Sequence, residues 1–115
     1  MKLPRGAEAI IPAGKVENYC LDPRHEIGGP KARVFAAALG LTLADAERLK
    51  AALRRAAGTA EADFLRSNRY GDHYRIDFRF RNGPRARTVR SGWTIREPGG
   101  PPYLTTAFVL SSSHD

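Results

Sequence analysis

Hydrophobic positions recur at helical spacings through the first half of the chain and alternate through the second, with the change near Gly58. Val16, Tyr19 and Cys20 predict a short helix within Gly14 to Leu21, ended by Asp22-Pro23. Arg24 to Gly29 reads as a loop, because Pro23 and the Gly28-Gly29 pair discourage regular structure. Pro30 suits the first turn of a second helix through Lys31, Arg33, Val34, Phe35 and Leu39, with Gly40 as its stop. Thr42 predicts the N-cap of a third helix, with Asp45 as the returning partner of a capping box. Leu43, Ala46, Leu49, Leu53 and Ala56 line one face of it, and Gly58 stands where a C-terminal cap belongs.

Beyond Gly58 the period becomes two. Tyr74, Ile76, Phe78 and Phe80 point one way, and Arg75, Asp77, Arg79 and Arg81 the other. Ala62 to Tyr70 predicts the preceding strand, joined across Gly71-Asp72. Asn82-Gly83-Pro84 makes the next turn, Thr88 to Arg96 a third strand, and Leu104 to Leu110 a fourth after Pro98 to Pro102. The polar tail 111–115 is expected to fray. Short connections favour antiparallel neighbours. The pattern therefore predicts one α+β domain over residues 1–115: two or three N-terminal helices (about 1–58) packed on a four-stranded antiparallel meander (59–110).

Composition narrows the class. A chain with 42% hydrophobic and 27% charged residues is ordinary globular material. No apolar run approaches the roughly 20 residues that cross a bilayer, so no membrane partner is expected. The basic start has no apolar stretch behind it, and the expectation is a cytoplasmic protein. The single cysteine, Cys20, excludes an internal disulfide framework and a multi-cysteine zinc site, and reads as a small buried residue. No metal or other cofactor is implied.

Charge changes the picture more. The net charge is +7, and fifteen of the nineteen basic residues are Arg. Guanidinium forks match phosphate oxygens two at a time, and a basic balance of this kind in a small domain points to a nucleic-acid partner. An acidic protein partner is the alternative.

The densest polar stretch is His25-Glu26-Ile27-Gly28-Gly29-Pro30-Lys31-Ala32-Arg33. Two glycines let backbone amides approach a ligand, a helix start follows, and His25 can exchange a proton near neutral pH. The spacing is not a Walker loop. A surface loop with a histidine and helix-start charges is the plainer account of the same residues.

That stretch, with Leu3-Pro4 and Ile11-Pro12 before it, resembles an uncharacterised bacterial family of small domains. The shared pattern is His-x-Ile/Val-Gly-Gly-x-Lys-Ala-Arg-x-Phe, here His25 to Phe35, followed by a Trp strand, here Ser91 to Ile95. A closing Leu-x-Thr-Ala-aromatic strand is Leu104 to Phe108 in this chain, with Phe108-Val109 where Tyr-Pro is common. The family looks like the toxin domains of bacterial conflict systems. Its layout is similar to the barnase, EndoU and RelE group of metal-independent ribonucleases.

The resemblance implies an endoribonuclease toxin acting on RNA and held by a cognate antitoxin protein. Such chemistry needs a base for the 2′-hydroxyl, an acid for the leaving 5′-oxygen and cations for the phosphorane charge. The expected catalytic set is His25 for proton transfer, with Lys31, Arg90 and Thr106 around the phosphate. Arg90 shares a strand face with Thr88, Gly92 and Thr94, and Thr106 is expected to share one with Leu104 and Phe108. Arg33, Arg75, Arg79 and Arg81 form the expected RNA-backbone track, interrupted by Asp77. Trp93 is expected in the core. His73 is a second histidine that could supply the missing acid or base, although a solvent-facing hairpin position explains it better, and His114 is set aside in the tail. A non-catalytic basic module that binds RNA or protein is the competing function, and an adaptor domain of a mobile element is the third.

Overall fold

The computed structural model describes residues 1–110; the tail expected to fray, with His114 in it, lies outside the described residues. A 3₁₀ turn, Gly6–Glu8, and a π-turn, Val16–Cys20, precede helix α1, Gly29–Val34, which continues as a second π-turn, Phe35–Leu39. A 3₁₀ turn, Leu43–Asp45, leads into helix α2, Ala46–Thr59. Strands β1 (Asp63–Asn68), β2 (Gly71–Asn82), β3 (Arg85–Ile95) and β4 (Pro102–Val109) then form an antiparallel sheet in the order β1-β2-β3-β4. The expected α+β meander is present.

The helix boundaries follow local chemistry. Gly40 ends the Phe35–Leu39 turn at φ 68°, a left-handed backbone that costs a residue with Cβ about 1–2 kcal/mol. The Thr42 N–H donates to Asp45 Oδ2 at 3.0 Å, the returning half of the expected capping box. Gly58 departs from expectation: α2 runs through it to Thr59, whose hydroxyl donates to Arg55 C=O at 2.7 Å inside the last turn.

Burial is one-sided. Ile76, Val89, Trp93, Leu104 and Ala107 are fully buried against Val16, Cys20, Phe35, Leu39, Leu49 and Leu53 from the helical layer. Trp93 is in the core as expected, and its indole N–H donates to Ser91 Oγ at 2.9 Å. Ser91 Oγ donates in turn to Ile76 C=O at 2.9 Å, so a polar chain crosses the apolar layer with every member satisfied. Asn82 Nδ2 donates to Leu39 C=O at 2.6 Å, fixing the β2–β3 turn to the end of the first helical segment.

The other sheet face has no helix over it. Cross-strand partners lie on the same face. The uncovered face therefore reads in rows: His73, Thr94 and Tyr103; Arg75, Gly92 and Thr106; Asp77, Arg90 and Phe108. A register shift between Gly92 and Trp93 puts a bulge in β4. It corrects one expectation: Leu104 is buried in the core, whereas Thr106 and Phe108 sit on the uncovered face.

Ser91→Ala leaves the Trp93 N–H without its acceptor inside the core. Chemical denaturation is expected to show a loss of about 1–3 kcal/mol, against a few tenths for an exposed serine such as Ser67→Ala.

Candidate functional site on the uncovered sheet face

The loop before α1 is tightly self-satisfied. His25 Nδ1 accepts from both the Ile27 and Gly28 backbone N–H groups at 3.0 Å, and Gly29 N–H donates to His25 C=O at 2.8 Å. The amides expected to cradle a phosphate are thus already used. The glycine pair serves close chain packing: a Cβ on Gly28 would meet Tyr19 C=O at 2.3 Å, and one on Gly29 would meet Pro23 C=O at 2.7 Å. His25 also packs edge-on against Tyr19, with centroids 5.1 Å apart, and Lys15 Nζ lies 4.8 Å from the Tyr19 centroid. An Nδ1 lone pair shared by two N–H donors requires the proton on Nε2.

Lys31 and Arg33 part company, as residues two apart on a helix must. Arg33 Nη1 donates to Pro23 C=O at 2.9 Å and closes the same loop. Lys31 Nζ lies 4.6 Å from the centroid of the Phe108 ring, which reaches it over the β4 edge. Phe108 is the cross-strand partner of Arg90, and Arg90 grips Asp77 with two bonds of 2.9 Å, from Nε and Nη2. That carboxylate pair raises the Arg90 pKa further and leaves Nη1 and one Nη2 proton to donate elsewhere. Lys31, Phe108, Arg90 and Asp77 therefore form one continuous patch.

Thr106 is in the adjacent row, opposite Gly92, itself opposite Arg75. With no side chain on Gly92, Thr106 lies in against β3, its Cγ2 only 3.1 Å from where a Gly92 Cβ would stand. Its Oγ1 is buried without a hydrogen-bond partner, and so is Arg75 Nε in the same row; Arg75 Nη2 holds Asp63 at 3.3 Å. Two of the sheet's three orphan polar atoms thus fall on one row of the uncovered face, the third being Arg87 Nε in β3.

The histidine in this patch is His73. Asn68 Oδ1 accepts the Tyr70 N–H at 2.9 Å, which fixes that atom as the oxygen, so His73 Nε2 donates to it at 2.9 Å. Nδ1 then faces Thr94 Oγ1 at 3.0 Å. A hydroxyl can donate to a bare Nδ1 or accept from a protonated one, so this setting accommodates both states of the ring. The sequence marks His73 as a candidate second acid or base but more readily as a hairpin residue; its partners come from β1, five residues before it, and from β3.

Of the expected catalytic set, the structure brings Lys31, Arg90 and Thr106 onto one surface. His25 packs on Tyr19, which Lys15 also approaches, and makes no hydrogen bond to any of the three. Of the expected RNA track, Arg75 is in the patch, Arg33 is turned into the loop, and Arg79 and Arg81 line a groove beside α2. A cavity of about 590 Å³ among Leu21, Ala32, Ala36, Leu41 and Leu43 is almost wholly apolar and carries none of these residues except Arg33 at its rim. Among the described residues, no three His, Cys, Asp or Glu side chains come together as a metal-binding group, and no helix is long and apolar enough to cross a membrane.

Cys20 is fully buried, and burial pushes its thiol up to about 11. Alkylation at pH 8 is expected only on unfolding. Above about pH 8.5 the unfolded chain ionises its thiol before the folded one does. Stability from this group is therefore complete below that pH and declines as pH rises toward 11, which thermal unfolding of Cys20→Ala beside the parent would isolate.

The chain matches no curated protein and no solved structure. Residues 2–111 match a family described as a domain of unknown function. That span takes in both the histidine loop and the uncovered sheet face, and the chain belongs to the DUF6883 family.

Proposed function

We propose that the uncovered sheet face binds an RNA phosphodiester and cleaves it by proton transfer, and that the protein is an endoribonuclease toxin. The observation carrying this reading is the three-row patch. Arg75, Arg90 and Lys31 supply cationic donors, Thr106 and Arg75 hold unmet hydrogen-bonding atoms, and His73 sits one row away with a ring free to change state. Phe108 and Tyr103 border the patch, each with a cation over its ring, Lys31 at 4.6 Å and Arg96 at 3.8 Å.

The assigned steps are those of a 2′-hydroxyl attack. Arg75 and Arg90 hold the non-bridging oxygens, with Lys31 adding charge as the phosphorane forms. His73 Nδ1, once Thr94 turns its hydroxyl away, takes the 2′ proton as the new O–P bond forms. The P–O5′ bond breaks, and the leaving oxygen takes a proton from solvent on the far side, leaving a 2′,3′-cyclic phosphate. His25 is a positioning residue: it ties down the loop that starts α1 and so places Lys31. The toxin part of the reading rests on the resemblance of the His25–Phe35 motif and implies a protein partner that neutralises the enzyme.

The test is cleavage of a fluorophore–quencher RNA by the purified chain, with product ends analysed and expression toxicity scored alongside. Cyclic-phosphate ends are expected. His73→Ala and Arg90→Ala should each lower kcat by on the order of 10²-fold or more. His25→Ala, acting only through the placement of Lys31, should lower kcat by less than either. Parent-like cleavage by His73→Ala overturns the assigned chemistry. RNA binding that weakens with salt but never cleaves would instead identify a non-catalytic basic module.

A further inference from the structure

β1 pairs with β2 only as far as Arg75, although β2 continues to Asn82. From Asp77 to Arg81 the outer edge of β2 therefore has no strand beside it. The β2–β3 turn has two residues, so Asn82 and Arg85 are a hydrogen-bonded pair. Alternation from that pair directs the backbone N–H and C=O of Arg81, Arg79 and Asp77 outward. Helix α2 runs beside this edge and leaves two adjoining cavities of about 430 and 180 Å³. Their walls are Ala52 and Arg55 of α2 with Phe78, Arg79, Phe80 and Arg81 of β2.

The groove is closed at one end by Ala60 and at the other by Arg48, which binds Asn82 Oδ1 at 2.9 Å. The free edge is five residues long, Asp77 to Arg81, and would pair with a similar run of extended chain, about 16 Å. Among the described residues Arg55, Arg79 and Arg81 make no salt bridge, whereas Asp77 is taken up by Arg90. A free strand edge commonly ends in a charge that repels further strands. Here three guanidiniums outside any salt bridge flank an edge that also offers half-buried Phe78 as an apolar floor, Arg79 donating to Thr88 Oγ1 at 3.3 Å.

We propose that the free edge of β2 at Asp77–Arg81, with the groove it forms against α2, docks an acidic extended segment of a partner protein, which adds to the sheet as a strand. Outward backbone groups would give the segment its register, and carboxylates on it would meet Arg55, Arg79 and Arg81. Apolar residues alternating with those carboxylates would rest on Phe78 and Ala52. The ordered row of backbone donors and acceptors favours peptide over nucleic acid, for which cations alone would serve. The inference stands apart from the ribonuclease reading, since it needs neither RNA nor proton transfer.

The probe is a fluorescein-labelled nine-residue peptide alternating Glu with Val, titrated against the full chain and read by anisotropy. Three controls accompany it: the same peptide N-methylated at alternate residues, oligoglutamate of equal charge, and a single-stranded RNA of equal charge. The Glu/Val peptide is expected to bind, with affinity falling at least tenfold on N-methylation and at least tenfold for Arg55→Glu/Arg81→Glu. Arg79→Pro, which removes an outward N–H and leaves the ladder to β3 intact, should bind more weakly than Arg79→Gln, although both remove the charge. Equal binding of the N-methylated peptide or of oligoglutamate overturns strand addition, and so does absence of binding at millimolar concentration. Tighter binding of the RNA, lost in Arg55→Glu/Arg81→Glu, would reassign the groove to nucleic acid. His73→Ala should leave peptide binding unchanged whether or not the parent cleaves RNA.

Discussion

The alternation of β2 and β3 sends their large apolar side chains toward a single helical layer, and among the described residues no helix covers the opposite face. Ile76, Val89 and Trp93 are wholly buried on one side, while Arg75, Asp77 and Arg90 stand between them on the other. Folding requires the first set to meet α2 and the turns around α1, because hydrophobic burial is the main term opposing chain entropy. The same requirement forces the charged set into register on an open surface. A platform of cations is thus a by-product of the pairing that builds the core.

What gives that platform chemical character is its departures from simple alternation. The bulge between Gly92 and Trp93 turns Thr106 and Phe108 to the open side and brings Phe108 beneath Lys31. Gly92 then lets Thr106 settle inward until its hydroxyl loses every partner. Asp77 restrains Arg90 from one edge and orients its remaining N–H groups outward. Each effect is local, and together they concentrate unmet hydrogen-bonding groups in two neighbouring rows.

Much of the scaffold was legible in the residues. Gly40, Thr42 with Asp45, the Asn82-Gly83-Pro84 turn and the Tyr74-to-Phe80 alternation each act over a few neighbours, so their meaning survives without the rest of the chain. The end of α2 was not legible, because Thr59 closes its own last turn and Gly58 takes no left-handed backbone. The face of Thr106 was misread for a similar reason: one inserted residue inverts a period of two, and nothing in Leu104 to Phe108 announces it. The roles of the histidines depend on hydrogen bonds that residue type and spacing do not announce. His25 is defined by which lone pair its own loop consumes, and His73 by Asn68 and Thr94 arriving from adjacent strands.

The claim on which this account turns is that nucleic acid lies across the uncovered face and not in the loop before α1. Nuclear magnetic resonance titration with a 2′-O-methylated tetranucleotide, which can bind but cannot be cut, tests it directly. The account predicts that the shifted signals cluster on His73, Arg75, Gly92, Thr106 and Phe108, with the Ile27 and Gly28 amides unmoved. Shifts confined to Ile27, Gly28 and the His25 ring would contradict it.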